Sequence, residues 1–198
     1  VPTWWHEESP TIENLSSQGL TLEDIVSMGE PGAVGKSCWQ LGFETDCGYG
    51  VSPRVPYVQS RLQAMIDSLT MNYGFDMVYE DVLGSIGYGR DWNTSAPDTI
   101  DTDGWIDHTR TFKDRLLMTE SGYDHLAETE VGFLGGGATP TWETNPDHHG
   151  GYPYPMSALL LRDKALHYHY WADGTIDKAA MGWNLAYGYM LGIRVNPS

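Results

Sequence analysis

Two acidic side chains close successive apolar segments of this sequence. Asp81 lies near the end of Asp76-Met77-Val78-Tyr79-Glu80-Asp81-Val82-Leu83, and Glu120 follows Arg115-Leu116-Leu117-Met118-Thr119. A pair of carboxyl groups is the chemistry of glycosidic-bond cleavage. With the two groups roughly 5.5 Å apart, one attacks the anomeric carbon while the other protonates the departing oxygen and later activates water; at about 6.5–9.5 Å, water attacks directly. Neighbouring strands lie about 4.8 Å apart, so acids at adjacent strand ends are within reach of one substrate. The same residue types also have plain structural uses, capping a helix or pairing with an arginine. Asp76, at the far end of its segment, reads as structural. Glu80 and Asp81 are consecutive, so in a strand they point to opposite faces and only one enters a cleft directly.

Residues that would touch a sugar stand in the polar loops beyond these segments. Tyr88, Trp92, Trp142 and His148 are the candidates, with Glu80 beside the presumed nucleophile. Twelve Tyr and eight Trp accompany only four Phe. Rings with a polar tip suit a half-wet surface, such as one contacting the apolar faces and hydroxyls of a carbohydrate. Each such ring taken alone is equally well a core residue.

The histidines offer a rival chemistry. His167 and His169 are two apart and would share one face of a strand, with His148, His149 and Asp147 as further ligands of a water-activating metal. The chain lacks a His-Glu-x-x-His helix and a cysteine cluster, so carboxylate chemistry is preferred, with no metal and no cofactor. No Gly-x-Ser-x-Gly elbow supports a serine nucleophile, no Gly-x-Gly-x-x-Gly turn supports a dinucleotide site, and Cys38 has no evident partner base.

The composition narrows the partners. The 198 residues carry 27 acidic and 11 basic side chains, a formal charge of −16. That charge favours solubility and repels nucleic acid and anionic lipid, leaving a carbohydrate as the expected partner. No apolar run approaches the roughly 18 residues of a membrane span. With hydrophobic residues at 40%, the chain is not a disordered one. Cys38 and Cys47 are either a disulfide or two thiols. Asn14-Leu15-Ser16 and Asn93-Thr94-Ser95 fit the glycosylation pattern. A secreted or extracellular location is expected.

Positioning these groups requires strands that alternate with helices. Thr21 to Asp24 reads as a capping box opening a short helix through Met28. Ser37–Phe43 reads as a strand with a polar glycine loop after it. Pro56 to about Asn72 reads as a helix, with Val58, Leu62, Met65, Ile66 and Leu69 on one stripe, Pro56 in its first turn and Gly74 as its stop. Asp76–Leu83 and Arg115–Thr119 read as strands, Trp105–Lys113 and Tyr123–Leu134 as helices, Met156–Leu161 as an apolar run, and Thr175–Leu191 as a final helix. The pattern predicts an α/β fold, a partial or complete (β/α)-barrel with a mostly parallel sheet. About four strands are countable, and a full barrel takes about 250 residues. Residues 1–198 are therefore read as one α/β domain, part of a larger barrel, with 1–36 as a lead-in segment. Another chain, or the rest of a longer protein, would complete it.

The strand ends carry a family resemblance. The Tyr-x-Asp-Val-x-Gly stretch from Tyr79 to Gly84 resembles the nucleophile strand of the endo-α-N-acetylgalactosaminidase-like barrels. Leu-x-Thr-Glu-Ser-Gly, Leu117 to Gly122, resembles the acid/base strand that follows it. The late order is similar too, an apolar strand and then an Ala/Gly-rich helix ending at Leu191-Gly192. The resemblance spans roughly Trp39 to Leu191. It implies a retaining glycoside hydrolase with Asp81 as nucleophile and Glu120 as general acid/base; the extra acid Glu80 departs from the pattern. The alternatives are the metal-dependent hydrolase and a non-catalytic carbohydrate-binding or assembly segment.

Overall fold

The computed structural model describes residues 3–41, 44–85, 90–96, 99–120, 124–134, 160, 163–168, 182, 185, 188 and 190. Its N-terminal part is a three-stranded antiparallel sheet. Strand β1 (Trp4–His6), the single-turn helix α1 (Pro10–Glu13), β2 (Lys36–Leu41) and β3 (Glu44–Gly50) follow in order, with β3 between β1 and β2. The expected strand near Ser37–Phe43 is thus present, but it belongs to a hairpin outside the parallel sheet. The expected glycine loop after it is strand β3. Its Gly48 and Gly50 are tolerated because β3 is the middle strand, paired on both sides. Cys38 and Cys47 face each other across the hairpin and form a disulfide. The capping box is real but opens only a 3-10 turn, Leu22–Asp24. The Thr21 backbone N–H and hydroxyl both donate to the Asp24 carboxylate, at 2.7 and 2.8 Å, which holds that carboxyl below the ordinary range.

Helix α2 (Pro56–Asp67) begins with proline at its first turn, where a missing N–H costs nothing. Val58, Leu62 and Ile66 recur every four residues and are fully buried, each worth roughly 1.5–3 kcal/mol by area. The helix runs on as a wider turn, Ser68–Asn72, and stops at Gly74 with φ +71°. Strand β4 (Met77–Glu80) follows. Beyond it, β5 (Arg90–Asp91) and β6 (Thr99–Ile100) form a small antiparallel pair, and helix α3 (Asp101–Thr111) starts four residues earlier than the expected Trp105. Gly104 lets α3 approach the chain before α2, since a Cβ there would lie 2.6 Å from the Pro53 ring.

Strands β7 (Leu116–Glu120), β8 (Glu130–Leu134) and β9 (Leu166–Tyr168) join β4 in a four-stranded parallel sheet, ordered β4-β7-β8-β9. Adjacent, parallel β4 and β7 agree with the sequence expectation. The Tyr123–Leu134 helix does not form. Asp124–Leu126 is a 3-10 turn, and Glu130–Leu134 is a strand. Leu126, Glu130 and Phe133 have helical spacing, but Gly132 is a poor helix former and Val131 and Phe133 favour strands. Pairing on both sides decides the outcome. Among the described residues the parallel sheet has four strands: β4 and β7 fall on segments read as strands, β9 on the segment of His167, also read as strand, and β8 on a segment read as helix. Of the apolar run Met156–Leu161, only Leu160 is described, and it is helical and exposed.

One face of this sheet is covered. Val78 and Leu117 are paired in register and pack with Ile66 of α2 and with Phe112, the residue after α3. A larger core joins Trp5, Leu15, Ile25 and Val26 from the first 36 residues to Val58, Trp105 and Phe133. The opposite face starts with Met77, Leu116 and Leu166, all 40–49% exposed.

Candidate active site

The site follows from register and alternation. Glu80 of β4 pairs with Thr119 of β7. In-register partners on parallel strands share a face, and the next residue on each strand turns to the other face. Val78, Glu80, Leu117 and Thr119 therefore face the helices. Asp81, the residue after β4, and Glu120, the last of β7, come next, and alternation turns both to the opposite face at the carboxyl end of the sheet, the face that also carries the buried Met118. Asp81 is exposed and Glu120 half-buried.

The backbone at Asp81 is held on both sides. Its carbonyl accepts from the Thr3 N–H at 3.4 Å and the Thr3 hydroxyl at 3.1 Å. Val82 follows with φ +65°, a left-handed conformation. For a β-branched residue this is strained, by about 1–3 kcal/mol, and such strain collects where geometry serves a site. Gly84 N–H then donates to Thr119 Oγ1 at 2.9 Å, and the same hydroxyl donates to the Glu80 carbonyl at 2.8 Å. Thr119 is fully buried.

Under the pair lies a buried polar cluster. Glu80 is 1% exposed and shares a 2.6 Å hydrogen bond with His108 Nε2 of α3. Glu80 therefore faces the helix layer, away from the side on which Asp81 and Glu120 lie, which leaves it outside a substrate cleft there. Glu130 is buried nearby. Burial first, then the charge and hydrogen bonding of Glu80, push its carboxyl up to about 10, so it is protonated at neutral pH. Among the described residues, neither Glu130 oxygen nor Glu80 Oε2 has another hydrogen-bond partner of good geometry. Neither His108 nor Glu130 was legible as part of a site, because each stands among other polar residues, Asp107-His108-Thr109-Arg110 and Glu128-Thr129-Glu130.

The remaining predicted contacts divide. Trp92 is half-buried against the large core, and its ring carries the Arg90 guanidinium 3.8 Å from the centroid. The Trp92 backbone N–H donates to the Met28 carbonyl at 2.9 Å. Asp91 beside it is buried and accepts from Ser52 Oγ, Met28 N–H and Asn93 N–H. Tyr88, Trp142 and His148 lie outside the described residues, as do His149 and His169. His167 is described. It pairs in register with Phe133 on the helix side of the sheet, and burial lowers its pKa. Among the described residues, no group of three or more His, Cys, Asp or Glu side chains is arranged to hold a metal. A cavity of about 220 Å³ between α2 and α3, lined by Arg54, Gln59, Gln63, Asp107 and His108, also lies on the helix side.

No protein-family model and no curated protein matches the chain. Solved structures do. Alpha-N-acetylgalactosaminidase NagBb from Bifidobacterium bifidum matches as a quadruple mutant with TM-score 0.63 and 12% identity, over 89% of this chain and 29% of that one. Its ligand-free form matches with TM-score 0.61 and 13% identity, over 91% and 30%. A GH31 family sulfoquinovosidase from E. rectale aligns over 69% of this chain with TM-score 0.44, too loosely to bear on the fold. The chain spans less than a third of the length of these neighbours. At such identities the likeness is one of fold: this mixed α/β chain, with its four-stranded parallel sheet, is shaped like a part of a glycoside hydrolase.

Proposed function

We propose that this chain carries the catalytic strands of a (β/α)-barrel glycoside hydrolase, with Asp81 as nucleophile and Glu120 as general acid/base. The observation that supports it most is the Glu80–Thr119 register: continued by strand alternation, it puts the next residues, Asp81 and Glu120, on one side of adjacent strand ends in this reading. Strand spacing of about 4.8 Å suits the retaining separation of roughly 5.5 Å. Asp81 attacks the anomeric carbon as Glu120 gives its proton to the leaving oxygen. Glu120 then takes a proton from water, and that water breaks the Asp81–sugar ester. The strand ends of barrel enzymes are where such groups stand.

The name of the NagBb neighbour supports an α-linked N-acetylgalactosaminide as substrate. Tyr88, Trp142 and His148, in the long loops, are the proposed sugar contacts; Trp92 is retained as a wall of the cleft. The exposed inner-face residues Met77, Leu116 and Leu166 are covered by the remaining barrel strands, supplied by further sequence or another chain. The Cys38–Cys47 disulfide supports an oxidising, extracellular location.

The test is turnover of an aryl α-N-acetylgalactosaminide by the intact protein carrying this segment. Asp81→Asn should abolish it, and azide with Asp81→Gly should restore a glycosyl azide of inverted configuration. Wild-type turnover in Asp81→Asn would remove the assignment.

A further inference from the structure

We infer that Thr119 is a positioning residue, whose hydroxyl sets the separation of the Asp81 and Glu120 carboxyl groups. The inference rests on the reading of those two acids as a catalytic pair. The carbonyl that receives the Thr119 proton, Glu80 O at 2.8 Å, belongs to the peptide bond that leads into Asp81. The N–H that donates to Thr119 Oγ1, that of Gly84 at 2.9 Å, lies just past the left-handed Val82. Thr119 is itself peptide-bonded to Glu120. One fully buried oxygen therefore grips the chain on both sides of the nucleophile while being covalently one residue from the acid/base.

The chemistry of the residue fits this use. A single hydroxyl both donates and accepts, so it can bind a carbonyl and an N–H at once. Valine has the same shape and neither function. Without the hydroxyl, the Gly84 N–H and one lone pair of the Glu80 carbonyl lose their partner in a buried place, and the strain at Val82 is no longer opposed from the β7 side. The Thr3 contacts to the Asp81 carbonyl keep the segment folded while freeing it to shift relative to Glu120. Cross-strand spacing is then set by the ladder alone.

The effect falls on geometry, not on substrate binding. A displacement of about 1 Å between reacting groups costs on the order of a hundredfold in rate. Two carboxyl groups held close also split each other's proton affinities, which sets the width of the bell-shaped pH profile. Wider spacing narrows that bell. A role confined to stability would lower the amount of active protein and leave both KM and the shape of the bell unchanged.

The experiment compares Thr119→Val, Thr119→Ser and Asp81→Asn in the intact protein, with an aryl α-N-acetylgalactosaminide. Thr119→Val should lose about a hundredfold in kcat, with KM changed less than about threefold and a narrower pH–kcat profile; Thr119→Ser should restore both. Wild-type kcat and profile in Thr119→Val, with Asp81→Asn inactive, would overturn the positioning role alone. Activity in Asp81→Asn would overturn the pair beneath it. Should the valine variant not fold, Thr119→Cys keeps the volume with only a weak hydrogen-bonding group, and wild-type kcat in it would also overturn the inference. A crystal structure needs no turnover: the Asp81–Glu120 carboxyl separation should change by more than about 0.5 Å between wild type and Thr119→Val, and an unchanged separation counts against the inference.

Discussion

Glu80 and His108 meet at 2.6 Å beneath the end of β4, both nearly sealed from solvent. This contact ties β4, which leads into Asp81, to helix α3. It also explains an acidic residue where the wall of the fold is otherwise Val78, Leu117 and Phe112. Removing one partner of a buried pair leaves the other without compensation, at about 3–5 kcal/mol. His108→Ala should therefore lower the urea midpoint of unfolding sharply. A change within experimental error would mean that Glu80 finds another partner.

The Glu130 carboxyl predicts a pH trend. Its pKa is raised from an ordinary 4.5 to about 10 by burial and by Glu80. In the unfolded chain it ionises near the ordinary value, so the unfolded state binds fewer protons between these limits. Its contribution is fully present below about pH 4.5 and is lost as pH rises toward 10. Glu130→Gln cannot ionise and should gain on wild type as pH is raised from 5 to 9. Denaturation midpoints at several pH values measure this; parallel curves for the two proteins would contradict it.

Kinetics should separate the two proposed catalytic acids. Glu120→Gln removes the proton donor, so substrates with poor leaving groups should lose the most, by about 10²–10⁴-fold. Aryl substrates with acidic phenols should lose far less in their first step. Equal losses across a series of leaving groups would deny Glu120 the role of acid.

Asn93 should carry no glycan, although it fits the pattern. The residue is 3% exposed, and its Nδ2 donates to the carbonyls of Val26 at 2.7 Å and Glu23 at 3.1 Å. Peptide mapping of protein secreted from eukaryotic cells would show an unmodified Asn93 peptide. Asn93→Ala should cost about 1–3 kcal/mol, because buried carbonyls lose their donor.

How much of this was legible depends on the range of the forces involved. The α2 stripe of Val58, Leu62 and Ile66 is local and periodic, so the sequence displays it. The β4–β7 pairing is also legible, because both segments are short apolar runs with an acid at the same end. Strand β8 was not legible: Leu126, Glu130 and Phe133 fit a helix, and only pairing with β7 and β9 selects the strand. The hairpin around Cys38 was misassigned because a glycine-rich stretch reads as loop until its two neighbours pair with it. The Glu80 environment was hidden for a similar reason. His108 is 28 residues away and meets Glu80 only once α3 lies on the sheet.

The left-handed Val82 has a consequence for how this chain can change. Glycine would adopt φ +65° without the side-chain penalty, so Val82→Gly removes strain that the folded state now carries. A selection for heat resistance alone should enrich it. A selection for turnover should purge it, because the relaxed peptide next to Asp81 samples more orientations. The position marks a place where robustness and rate pull in opposite directions, and where a library scored on both would separate the two pressures.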